Sequence, residues 1–238
     1  MPNYVKNIII MYGSEEDKAK VREYIKGKDT AFDFNKLIPM PEALNIECSS
    51  VSSDSLTVYR YLQNKSKLSE KMKQLIKTMS KDGESTDDMI ARLQKEKRLN
   101  LELGRKAAEN FEKYGAPDFY YWRISNWGTK WNAMDASTDN DRIVFETAWS
   151  APLRLINVLS ARFPQVEFEY KWSDEDIGQN CGEGTFCKGE TSDIAFYGDC
   201  SNEALRLYKE CWGNTDCIGV NSDGEYYRKN CAECHGCD

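Results

Sequence analysis

The alternation of apolar and polar positions divides the chain into short segments. Tyr4 to Tyr12 is rich in β-branched residues, stops at Gly13-Ser14 and reads as a buried strand. Ser14 then offers an N-cap with Asp17 three residues on. Val21, Tyr24 and Ile25 give the helix that follows an apolar stripe, and Gly27 ends it. Ala31-Phe32-Asp33-Phe34 alternates like a short strand, and Pro39 and Pro41 forbid regular structure after it. Residues 43–53 read as a Ser-rich connector. Residues 54–114 read as a hairpin of two long helices broken at Ser80-Lys81-Asp82-Gly83. The first has Leu68, Met72, Leu75, Ile76 and Met79 on one face. The second has Leu103, Ala107, Phe111 and Tyr114.

An aromatic segment follows, from Phe119 to Trp131. Asn132 to Asp135 and Arg142 to Trp149 predict a hairpin. A helix begins at Ala151-Pro152-Leu153, with Leu153, Ile156, Leu159 and Ser160 inward. Val166 to Trp172 alternates strictly and predicts a half-buried strand. Thr185 to Lys188 and Ile194 to Tyr197 predict a second hairpin, and Ser201 to Cys211 a helix. Residues 212–238 read as loop. This order predicts an α+β fold, a ferredoxin-like plait with an antiparallel sheet. Its parts are a plait over 1–42 and 115–211, a helical-hairpin insertion over 54–114 and a Cys-rich extension over 212–238.

Four strings resemble the YubB-like family of plasmid and phage proteins. They are Phe32 to Glu42, Trp122-Arg123 with Asn126 to Ala133, Phe145 to Pro152, and Tyr170 to Glu175. The resemblance spans 1–42 and 118–211. It implies a ferredoxin-like fold, the word naming a fold and not an iron–sulfur cluster, and an origin on a mobile element. It implies no mechanism. The Cys-rich stretch from Cys181 departs from the family.

Charge sharpens the picture. Lys and Arg number 32 against 39 Asp and Glu, a net charge of −7. Residues 64–113 carry 13 bases and 9 acids, whereas residues 165–238 carry 6 bases and 16 acids. An end of that sign repels nucleic acid and attracts basic surfaces. Lys65, Lys67, Lys71, Lys73 and Lys77 wrap around their helix and read as a solvated face, with a phosphate-binding stripe contacting nucleic acid as the alternative. With one histidine, His235, acid–base chemistry would fall to carboxylates, Lys, Tyr or Cys. There is no apolar run of membrane-spanning length, and Met1 to Asn7 lacks the apolar core of a signal peptide. A cytoplasmic location in a bacterial host is expected.

Tyr121, Trp122, Arg123 and Trp127 form either a recognition surface or core filling between sheet and insertion. Asp174 and Glu175, with Asp176, offer hard oxygen ligands or a solvated turn. Of nine cysteines, eight follow residue 180. Cys231, Cys234 and Cys237, completed by Cys217 or Cys211 and with His235 as an alternative ligand, match the chemistry of a tetrahedral zinc site. Cys181/Cys187 and Cys211/Cys217 give a weaker zinc spacing. Free thiols, an iron–sulfur run and a haem string remain alternatives.

The expected function is that of a non-enzymatic interaction protein. Its partner is a host protein or protein–nucleic-acid complex concerned with defence or nucleic-acid handling, and its acidic surface competes with nucleic acid. Neither membrane association nor direct nucleic-acid binding is expected. A nucleotide or small-molecule binder and a zinc-dependent enzyme are the alternatives.

Overall fold

A computed structural model describes residues 3–213 and 215–229. Along the chain run β1 (Tyr4–Tyr12), α1 (Glu15–Ile25), α2 (Ser50–Gln63), α3 (Glu70–Met79), α4 (Thr86–Lys95), α5 (Leu101–Tyr114) and α6 (Phe119–Trp127). Then come β2 (Met134–Thr138), β3 (Arg142–Ala148), α7 (Leu153–Arg162), β4 (Glu167–Asp174), β5 (Cys181–Cys187), β6 (Glu190–Tyr197), α8 (Asn202–Trp212), β7 (Ile218–Val220) and β8 (Tyr226–Arg228). The chain forms two compact units. One joins the residues up to Pro39 with those from Ile124 onward; the other is Met40–Arg123.

The first unit is built on a sheet of order β2-β3-β1-β4-β5-β6. Every adjacent pair is antiparallel. The sequence β1-α1-β2-β3-α7-β4 with β1 between β3 and β4 is the ferredoxin-like plait. β5 and β6 extend it beyond β4. Val5, Ile9 and Met11 share one face of β1 with Asn7, following the two-residue period of a strand. They are buried with Ile143 and Phe145 of β3, Phe168 and Tyr170 of β4, and Phe186 of β5. α7 packs against β4, β5 and β6. Its inward residues are Leu155, Ile156, Leu159 and Ser160, so Leu155 takes the place expected for Leu153.

Ala31–Phe34 is not a strand. Phe34–Lys36 forms a 3-10 turn, and β2 supplies the plait's second strand, after the helical unit in sequence. Side chains satisfy the backbone amides that a sheet would have used. Thr30 Oγ1 accepts from Phe32 N at 3.3 Å, Asp33 Oδ1 from Asn35 N at 3.0 Å and Asn132 Oδ1 from Phe34 N at 2.8 Å. The alternating rings enter the core all the same. Phe32 and Phe34 meet Phe145 edge-on at 5.0 and 5.8 Å, and Phe34 meets Trp127 at 5.7 Å. Each such pair contributes about 0.5–1.5 kcal/mol beyond area burial.

The helical unit holds four helices from α2 to α5, where apolar periodicity predicts two. Ser49, Ser69, Ser85 and Asn100 each accept the amide three residues on, at 3.1–3.3 Å, and so restart the helix. Lys97, at φ 58°, turns the chain before α5. Val58, Met72, Leu75, Met89, Ile90, Leu93 and Leu99 make the core. The buried face of α5 is Gly104, Ala107, Ala108 and Asn110, and Phe111 stands outside at 45% exposure. Leu68 precedes α3 and is exposed. Beyond α8 the described residues form a small β7–β8 hairpin where the sequence predicts only loop. No helix among the described residues is long and apolar enough to cross a membrane.

Candidate functional site

The candidate binding residues separate on folding. Asp118 caps α6 through its Oδ1, which accepts from Tyr120 N at 2.9 Å and Tyr121 N at 3.3 Å. Along α6, Tyr121, Trp122 and Arg123 fall in the helical unit and Trp127 in the sheet unit. Tyr121 is 52% exposed, while Trp122 is 7% exposed and Trp127 fully buried. The Trp127 indole N–H donates to Ile38 O at 2.9 Å, so this ring fills core rather than surface. The Arg123 guanidinium lies 5.0 Å from the Phe119 ring centre, and burial lowers its pKa.

Asp174 and Glu175 close the end of β4. Asp174 is buried, and its Oδ1 accepts from Asn3 Nδ2 at 3.2 Å and Asp176 N at 2.9 Å. Glu175 N donates to Tyr4 O at 2.8 Å, and its Oε1 accepts from Tyr4 N at 3.1 Å. These contacts fasten β1 to β4. Cys217 is buried just before β7. Cys231, Cys234, Cys237 and His235 lie outside the described residues. Among the described residues, no group of three or more His, Cys, Asp or Glu could hold a metal ion.

α8 lies on the sheet face opposite Val5, Asn7 and Ile9. Lys6, one position out of phase with those residues, sits 4.3 Å from the Trp212 ring centre. Two basic side chains on and beside this helix are consumed by nearby acids, while Lys209 lies 5.0 Å from the Tyr226 ring centre. Lys171 pairs with Glu169 and Glu210, each at 2.9 Å. Arg206 pairs with Glu183 and Glu210, each at 2.6 Å. Burial alone would raise the Glu210 pKa. Hydrogen bonds from Lys171 and Arg206 outweigh it and hold the carboxyl below its usual range. Beside them, burial pushes the Cys181 thiol up and the Cys211 thiol to about 12, so both are neutral and poor nucleophiles.

The outer carboxylates are sorted the other way. Glu175, Asp176, Asp193, Asp199, Glu203 and Asp223 are all exposed. The sheet unit also presents large rings to solvent: Trp149 at 45%, Tyr227 at 47% and Phe196 at 67%. Trp149 has φ 66°, a conformation in which a bulky residue is strained. Asn180 Nδ2 donates to its carbonyl at 3.1 Å, and Lys130 lies between its ring, at 5.3 Å, and that of Trp131, at 4.9 Å. Hydrophobic patterning gave no sign of this residue's role, because a left-handed backbone leaves no periodicity.

A family model described as a ferredoxin-like domain in Api92-like protein matches residues 126–216. The match runs from the end of α6 to the turn before β7 and takes in the plait except β1 and α1. A crystal structure of protein api92 from Yersinia pseudotuberculosis is similar, with a TM-score of 0.43 and 11% identity. The alignment covers 83% of this chain and 99% of that one. No curated protein matches the chain.

Proposed function

We propose that the chain is an interaction protein of phage or plasmid origin. Its acidic plait docks on a basic host protein that handles nucleic acid, and so keeps nucleic acid from that protein. The observation that carries this reading is the sorting of charge around α8. Lys171 and Arg206 are spent on Glu169, Glu183 and Glu210, while Asp193, Asp199 and Glu203 face solvent. A surface of this kind accelerates encounter with a basic groove and repels phosphate backbones. Exposed Trp149 and Phe196 supply the large rings that dominate binding energy in interfaces. The mobile-element origin rests on the resemblance of Phe32–Glu42, Trp122-Arg123 with Asn126–Ala133, Phe145–Pro152 and Tyr170–Glu175 to YubB-like proteins.

The test is capture from bacterial lysate on immobilised protein, with elution by salt and, separately, by added duplex DNA. The expected result is a basic nucleic-acid-binding partner, displaced by DNA and lost with the Asp193→Asn, Asp199→Asn, Glu203→Gln variant. Capture that survives these substitutions, or a partner indifferent to DNA, would overturn the reading.

A further inference from the structure

We infer that the helical unit carries a separate binding groove for a nucleoside phosphate, lying along α2. Two cavities adjoin there, of about 210 Å³ and 390 Å³, and they share Leu56, Arg60 and Lys71 in their walls. The larger is of the size that holds small ligands. The smaller is walled by the exposed rings of Phe111 and Tyr121. The larger continues past Tyr61 to Lys67 and Ser69.

Two lysines next to the groove are held by acids. Lys65 pairs with Asp87 at 2.8 Å and Lys73 with Glu70 at 2.6 Å. Among the described residues, Arg60, Lys67 and Lys71 form no ion pair. Lys71 donates to Ser53 Oγ, and the Arg60 guanidinium lies over the Phe111 ring at 4.7 Å. Asp118 is the one carboxylate in the walls of these two cavities, and its Oδ1 is committed to the amides of Tyr120 and Tyr121. The amino end of α2 is closed by the reciprocal bonds of Ser49 and Ser52. The phosphate contacts therefore fall to side chains rather than to helix amides.

Three cations outside direct ion pairs, with Asp54 acting on Lys71 only through its field, lie beside two solvent-facing rings and match the two chemical parts of a nucleotide. The phosphate oxygens take Arg60, Lys67 and Lys71. The base stacks on Phe111 or Tyr121, a contact open to any base because each has a π-face. A bare phosphate would leave both rings unused. This groove lies wholly within Met40–Arg123 and shares no residue with the acidic surface of the plait.

The experiment titrates the intact protein at low salt with a fluorescent adenine mononucleotide, a labelled ten-base single-stranded oligonucleotide, inorganic phosphate as competitor and a phosphoserine peptide. The nucleotide or the oligonucleotide should bind, with phosphate competing at least about tenfold more weakly for want of stacking. Tighter binding of the oligonucleotide identifies a strand as the source, and equal binding a free nucleotide. Phe111→Ala or Tyr121→Ala, whichever removes the ring that stacks, should weaken binding about 5- to 100-fold, and the double variant should lose at least as much. Arg60→Gln should flatten the salt dependence. Circular dichroism checks that each variant folds, and Lys65→Gln, outside the groove, should leave affinity unchanged. The proposal is overturned if neither nucleotide probe binds, if phosphate or the phosphopeptide binds as well as the nucleotide, or if the folded Phe111→Ala, Tyr121→Ala double variant or the folded Arg60→Gln variant binds like the parent.

Discussion

The Tyr170 hydroxyl donates to Asn7 Oδ1 at 2.5 Å between two fully buried side chains on β4 and β1. Asn7 Nδ2 donates onward to Thr147 Oγ1 on β3 at 2.9 Å, and Thr147 donates to Ser150 O at 2.9 Å. A polar thread thus crosses the three central strands inside the apolar face. Burial raises the Tyr170 pKa well above its usual value, so the phenol remains a donor. Tyr170→Phe leaves Asn7 Oδ1 without this partner and should cost about 1–3 kcal/mol. Urea unfolding checks the value. The Asn7→Ala, Tyr170→Phe pair should lose less than the sum of the single losses, since both remove one interaction. Additive losses would show that the two residues act independently.

Gly104 sets the approach of α5 to α2. A Cβ at this position would lie 2.3 Å from Ser55 O and 2.6 Å from Ser55 C, and backbone atoms cannot swing aside. Gly104→Ala therefore replaces a gain in helix propensity with a forced separation of two helices. The expected net loss is about 1–3 kcal/mol, typical of overpacking. Gly198→Ala, with nothing within 4 Å, is the control and should change stability by less than about 0.5 kcal/mol. Helical ellipticity followed in urea separates the two outcomes.

The plait was legible because its strands carry strong alternation and its helices begin at recognisable caps. Ser14 accepts from Asp17 N at 3.2 Å, as the sequence predicts. Failures came where a local polar group overrode the pattern. Phe32 and Phe34 alternate like strand residues, yet Asp33 and Asn132 bind the amides needed for pairing. Phe111 fits the apolar stripe of α5, but the close packing at Gly104 turns the small residues inward and leaves the ring to solvent. The basic stripe from Lys65 to Lys77 reads in sequence as a solvated face or, alternatively, a phosphate-binding stripe. Lys65 and Lys73 are taken by ion pairs, and of the other stripe lysines Lys67 and Lys71 line the cavity beside Arg60. Tertiary pairing of this kind leaves no trace in spacing.

The thiols should divide by exposure. Cys48 is exposed, whereas Cys181, Cys211 and Cys217 are buried, and burial lifts the Cys211 pKa to about 12. Among the thiols of the described residues, a maleimide reagent at pH 8 should label Cys48 first. Cys181, Cys211 and Cys217 should react only after urea is added, because the reactive species is the thiolate and both access and ionisation are denied. Peptide mass spectrometry resolves the sites. Rapid native labelling of Cys211 would contradict its place on the buried face of α8.

The Glu84–Arg92 pair gives the helical unit a defined acid response. Arg92 Nε donates to Glu84 Oε1 at 2.7 Å, and its Nη2 to Glu84 Oε2 at 2.8 Å and to Met79 O at 2.7 Å. Lys81 N donates to Glu84 Oε2 at 3.0 Å. The Arg92 hydrogen bonds, then that of Lys81, lower the Glu84 pKa from 4.5 to about 2. A carboxyl depressed in the folded state binds protons more readily when unfolded. Its contribution to stability is therefore full above the unfolded pKa of about 4.5 and fades as pH falls toward 2. Glu84→Gln should be less stable than the parent at pH 7. The difference between them should hold steady down to about pH 5 and shrink steadily below it. Urea midpoints for both proteins at pH 7, 5, 4 and 3 test the sign, since a gap that widens in acid would mean Glu84 titrates in the opposite sense.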